Sequence, residues 1–260
     1  MIKLENPVFA SPEQLIFIIE GMRNPMNSWD KSDSERCEDK ENCDGCLRKV
    51  ECDNHYISKK ELVFGSNDVN LMKKLAKAGT DHRKFMRMMP VYVRITAPLY
   101  WWKEFDTYKV GTVANSCSTM HKIQAKEFTL NDFSVEHLDQ DNYNLTKEIV
   151  GRLNRYRNIY LNSGIIEYPD AGRKIFKPKD KDIWWQMIQM LPSSYNQTRN
   201  VMLNYEVLAN IYHSRKNHKL DEWREFCKWI EEKVPYSWLI TEIEKEEYKI
   251  IANNKVYLKY

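Results

Sequence analysis

Glycine is scarce in this chain, with 8 in 260 residues, and no apolar run is long enough to cross a bilayer. A membrane-spanning role is therefore not expected. The opening segment, residues 1–14, lacks the basic-then-apolar order of a secretory leader, so the setting is read as cytoplasmic. Charge of one sign is also missing. Lys plus Arg is 40 against 37 for Asp plus Glu, a net +3, too little to make duplex DNA or an acidic membrane an obligate partner. Nucleic acid is accordingly not expected, although 177–181 and 215–219 are locally basic. Internal repeats are absent.

What is present is a soluble, aromatic-rich composition. Charged residues make up 30% and hydrophobic residues 42%, with 15 Tyr and 8 Trp. That suits a rigid body with sizeable interfaces. At this length the chain can bury a real core.

Local signals give the outline. Ser11, Pro12 and Gln14 spell a helix start with a capping box, and Gly21 reads as the end of that helix. Ser66 to Asp68 caps a second helix reaching Ala78. Val91 to Ala97 alternates and is β-branched, a strand ending at Pro98. A short aromatic helix from Tyr100 to Tyr108 follows, then a loop over Gly111 to Thr119. A long helix starts at Asn144 or Thr146 and reaches Asn162, where Gly164 stops it. Helices are also expected over 196–216 and 220–233. The tail reads as a β-hairpin over about 246–260, turning at Asn253-Asn254. The fold class is α+β, helices around a modest antiparallel sheet, in one domain over 1–260.

Several spacings, taken in order, carry a resemblance. His82 is followed by Arg94-Ile-Thr-Ala-Pro98, then by Trp101-Trp102-Lys103-Glu104. Leu191-Pro192, Asn204, Asn210 and Arg215 come next, and His218, Glu222 and Arg224 close the set. Over residues 65–229 this layout resembles the core of the flavin-dependent thymidylate synthases. That family places a His-bearing element, an Ala-Pro strand end, Arg-Gln, Arg-His-Arg and a later Ser in this order. The resemblance implies a homo-oligomer, a tetramer, that binds FAD and a pyrimidine nucleotide. Reduced flavin and a folate would then methylate dUMP to dTMP. It places Cys117 on the motif serine that lies beside the pyrimidine, with Ser118 next to it, as the catalytic candidates. His82, Lys109, Thr112, Asn204 and Asn210 fall on the flavin side, and Arg94, Lys103 and Arg215 on the substrate side.

The departures are chemical. Thr107-Tyr108-Lys109 stands where the family has Arg-His-Arg, Lys103-Glu104 replaces Arg-Gln, Met88 replaces a His, and Glu206 replaces an Arg. Losing two charge-assisted contacts, at roughly 1.5–3 kcal/mol each, lowers ligand affinity by orders of magnitude. A binding protein without catalysis, taking a nucleotide or a protein on the same scaffold, is therefore the alternative. Cys117 lies four residues before His121, so one helical turn would bring thiol and imidazole together. Each candidate also has a plain structural reading. Arg94 can snorkel from a strand, His82 can cap a turn, and Cys117 can be a small residue in a tight loop.

Cys37, Cys43, Cys46 and Cys52 form a cluster in a charged insert at about 35–55. The Cys43-Asp44-Gly45-Cys46 knuckle is a tetrahedral half-site, because Gly lets two thiolates turn toward one ion. A structural zinc is the expectation, with free thiols or an iron–sulfur cluster as alternatives and His55 as a substitute for an outer cysteine.

Overall fold

The computed structural model describes residues 1–36, 62–168, 172–242, 247–251 and 255–259. Four strands form the central sheet: β1 (Lys3–Phe9), β4 (Pro90–Pro98), β5 (Val113–Ser116) and β8 (Asn196–Asn204). Their order is β1-β4-β8-β5, with every neighbour antiparallel. Two-residue strands β2 (Glu35–Arg36) and β3 (Leu62–Val63) pair separately. So do β6 (Gly164–Tyr168) with β7 (Gly172–Phe176), and β9 (Glu247–Ile251) with β10 (Lys255–Lys259). The helices are α1 (Pro12–Arg23), α2 (Ser66–Lys77), α3 (Lys84–Arg87), α4 (Leu99–Phe105) and α5 (Gln140–Asn162). They continue with α6 (Lys181–Met190), α7 (Tyr205–Arg215), α8 (Asp221–Lys233) and α9 (Trp238–Thr241). No described helix is long and apolar enough to cross a membrane.

One face of the sheet builds the core. Val91, Val93, Ile95 and Ala97 of β4, with Val201 and Leu203 of β8, are buried against the helices. Trp101 and Trp102 of α4 and Trp223 and Phe226 of α8 complete that core, with ring centroids 4.7 to 6.1 Å apart along the cluster. The indole N–H of Trp102 donates to the Gln197 carbonyl at 3.0 Å, which ties α4 to β8. A smaller cluster of Phe128, Phe133, Leu153 and Met187 joins α5 to α6.

The helix expected over 196–216 is two elements. Residues 196–204 alternate inward and outward as a nine-residue strand, and Asn204 then caps α7 by accepting from the Val207 N–H at 3.0 Å. Pairing with β4 and β5 imposes the period of two on this segment. The loop expected over 111–119 contains β5, which uses the same partner strand.

Capping differs as well. Gly21 lies inside α1, which runs on to Arg23. Helix α2 is capped from a distance, since Asp33 accepts from the N–H groups of Asn67 at 2.9 Å and Asp68 at 3.1 Å. That frees Asp68 to turn inward, where it meets Arg23 at 2.6 Å with both side chains buried. Gly65 is required beside it, because a Cβ there would run into the Asp33 side chain. Helix α5 begins at Gln140, earlier than expected, because Asp139 accepts from the Asn142 N–H at 2.8 Å. Local patterning gave no sign of β1, the β6–β7 hairpin or α6.

Candidate functional site

The second face of the sheet is open, and register sorts its side chains into rows. On β4 the outward positions are Tyr92, Arg94 and Thr96, and on β8 they are Thr198, Asn200 and Met202. Cross-strand pairing aligns Glu5, Arg94, Asn200 and Asn115 in one polar row across all four strands. The next row holds Thr96 and Thr198, whose hydroxyls are 2.7 Å apart, and Cys117 follows on β5's side, its N–H donating to the Thr198 carbonyl at 2.9 Å. In the other direction lies an apolar row, Val8, Tyr92, Met202 and Val113.

These rows floor two adjoining depressions. The polar one has a volume of about 510 Å³, with Glu5, Arg94, Asn115, Cys117, Thr198 and Asn200 in its lining. The apolar one is about 290 Å³ and exposes Val8, Tyr92 and Val113. Arg94 is exposed, and its Nε donates to Asn200 Oδ1 at 3.4 Å. It has no ion pair among the described residues, so its charge is available to a ligand. The hydroxyls and amides beside it can donate or accept, which suits a polar heterocycle or a sugar.

The remaining candidates fall elsewhere. Arg215, at the end of α7, donates from Nη1 to Glu104 Oε2 at 2.7 Å and from Nε to the Tyr108 hydroxyl at 2.9 Å. Its guanidinium also lies over the Trp223 ring, 4.9 Å from the centroid. Thr112 donates to the Tyr108 carbonyl at 2.5 Å, closing a turn that rests on the start of α7. Gly111 in that turn has φ +81°, and a Cβ there would lie 2.7 Å from Asn204 Nδ2. Asn204 thus serves as a buried helix cap beside the turn. Lys103, Lys109, His82 and Asn210 are exposed on α4, the following turn, the 79–83 turn and α7. Arg94 and Cys117 share the groove, Thr112 closes the turn whose Gly111 rests on Asn204 at the α7 start, and His82, Lys103 and Asn210 join neither place.

Residues 117–121 are not helical, so the expected helical-turn approach of Cys117 and His121 does not form. Ser118 Oγ instead accepts from the His121 N–H at 2.9 Å. Of the two described cysteines, Cys117 is exposed, whereas Cys227 is buried, and burial pushes its thiol up to about 12. Cys37, Cys43, Cys46, Cys52 and His55 lie outside the described residues. Among the described residues no group of three or more His, Cys, Asp or Glu side chains could hold a metal ion.

Carboxylates hold arginines beside α4 and α7. Glu104 takes Arg215 at 2.7 Å, Asp106 takes Arg199 at 2.7 Å, and Glu206 takes Arg87 at 2.6 Å. Thr198, Asn200 and Asn115 were missed as groove residues because the first two sit in the segment read as helix and the third in the segment read as loop. The outward alternation of Thr96 after Arg94 was their visible sign.

No protein-family model matches the sequence, and no curated protein matches it. Solved structures do. Thymidylate synthase X (ThyX) from Helicobacter pylori, determined with FAD and dUMP, is similar with a TM-score of 0.59 and 12% identity, over 93% of this chain and 98% of that one. A further structure, flavin-dependent thymidylate synthase ThyX from Helicobacter pylori complexed with FAD and dUMP, gives 0.55 and 13% identity over 94% and 99%. At that identity the likeness concerns the path of the chain, and the α+β fold here is the one those thymidylate synthase structures have.

Proposed function

We propose that this protein binds a pyrimidine deoxynucleotide, with dUMP as the probe ligand, in the polar groove on the open face of the sheet. The observation that carries the reading is Arg94, a guanidinium with no ion pair among the described residues, set in a row with Glu5, Asn200 and Asn115 and next to the Thr96 and Thr198 hydroxyls. One guanidinium suits the single phosphate of a nucleoside monophosphate. The adjoining Asn115, Asn200, Thr96 and Thr198 offer the donors and acceptors that a pyrimidine edge and a deoxyribose need. The fold's likeness to structures holding dUMP supports the same ligand class.

Flavin chemistry is not part of this reading. FAD carries two linked phosphates, and of the three positions that the resemblance sets near them only Lys109 is cationic. Glu104 and Asp106, close by in sequence to Lys109, neutralise Arg215 and Arg199. These residues do not fit a pyrophosphate, so no methyl-transfer step is assigned to them.

The test is a thermal melt with and without dUMP, together with visible absorbance of the freshly purified chain. The midpoint is expected to rise with dUMP and to lose that response in Arg94→Ala. A yellow protein that bleaches on reduction would contradict the flavin-free reading. No response to dUMP, or one that Arg94→Ala leaves intact, would remove the groove as the nucleotide site.

A second reading concerns the apolar row. Val8, Tyr92 and Val113 are exposed at 57%, 48% and 62% in one cross-strand row of the sheet. A protein covering them is favoured by that apolar surface, and a second copy of this chain is the proposed occupant. The homo-oligomer that the family resemblance implies supports it.

A further inference from the structure

A single carboxylate oxygen, Glu104 Oε2, accepts two N–H donors from a different part of the chain and lies close to an imidazole. Arg215 Nη1 donates to it at 2.7 Å and Trp223 Nε1 at 2.8 Å, and His218 Nε2 lies 3.5 Å away. The imidazole is oriented by its other nitrogen, because His218 Nδ1 accepts from the Leu220 N–H at 3.2 Å, which puts the ring proton on Nε2, 3.5 Å from the carboxylate.

The donors stand without help from Glu104. Trp223 is fully buried on α8 and packs on Trp101 at 4.7 Å. Arg215 is fixed between the Tyr108 hydroxyl at 2.9 Å and the Trp223 face at 4.9 Å. The acceptor alone comes from α4. A guanidinium, an indole N–H and an imidazole N–H converging on one point form a receptor for an oxyanion. Here the chain supplies that oxyanion itself.

We infer that Arg215, Trp223 and His218 form an oxyanion site, of the class that takes phosphate or sulfate, which Glu104 keeps closed. An external oxyanion enters when the Glu104 carboxylate is removed, and the native chain turns such ligands away at this place. The inference stands on the cage alone and does not depend on the pyrimidine reading of the sheet groove.

The experiment compares wild type, Glu104→Ala and Glu104→Ala/Arg215→Gln in inorganic phosphate against chloride of equal ionic strength. Glu104→Ala is expected to show a saturable phosphate-specific rise in melting midpoint, about 2–4 °C at tenfold excess over Kd. Any response through Arg94 is common to all three chains, and wild type and the double variant should show none beyond it. If Glu104→Ala does not fold in chloride, phosphate in the refolding buffer is expected to restore it. A folded Glu104→Ala without a phosphate response, or an unfolded one that phosphate does not rescue, would overturn the inference and leave a structural ion pair. A wild-type phosphate response that Arg215→Gln abolishes would overturn it too. Because Arg94 is intact in every variant, this outcome separates from that of the dUMP test.

Discussion

Asp68 shows how much one residue can hold. It accepts from Ser32 and Ser34 as well as from Arg23, and its carboxylate is fully buried. Burial acts to raise its pKa, but the hydrogen bonds of Ser34, Ser32 and Arg23 outweigh burial and hold it below the ordinary 3.8. The folded value lies beneath the unfolded one, so the pair's contribution is complete above the unfolded pKa and is lost as pH falls through the folded one. Asp68→Asn is expected to cost about 3–5 kcal/mol at neutral pH, because Arg23 keeps its charge in a dry site. Urea unfolding near neutrality and again below pH 3.8 checks this. The acid loss of stability should be shallower in the variant, and an unchanged acid slope would assign it to other carboxylates.

Among the elements, α7 gathers several of the candidate residues that lie outside the groove. Its start is capped by Asn204, its first turn sits under the Gly111 turn, and its last residue is Arg215. Asn204→Ala removes the cap and leaves the buried Val207 N–H unpaired, a cost of about 1–2 kcal/mol. Asn204→Asp keeps the accepting oxygen and should lose less. Thermal melts of the two variants separate capping from any ligand role, because a cap is rescued by aspartate and a lost amide donor is not. Gly111→Ala should destabilise independently of either, since its positive φ and the 2.7 Å approach to Asn204 both exclude a side chain.

For the molecule as a whole, the unequal faces of the sheet matter most. One face is filled by aromatic residues from α4 and α8, while the other carries a polar row next to an apolar one. If a second copy covers the apolar row, the native chain should run above its 31.2 kDa monomer mass in sedimentation. Val113→Lys should then return it to that mass, with little effect on stability because Val113 is exposed on an edge strand. A wild-type chain that already sediments as a monomer would remove the second copy as occupant.

Patterns confined to a few neighbouring residues were legible before any coordinates. The capping box at Ser11, the alternation of Val91 to Ala97 and the aromatic helix beginning near Tyr100 each follow from local backbone and side-chain chemistry. They mark the α+β class and set Arg94 on its strand, whereas Arg215 was singled out by the family resemblance. Whether 196–204 was strand or helix could not be read there, because its outward alternation appears only when β4 and β5 lie on either side. The cap of α2 was equally hidden, coming from Asp33 across the insert. Above all, the sequence located Arg215 and Glu104 but not that they meet. Their pairing needs α4, α7 and α8 packed together, and that contact decides which cations remain for a ligand.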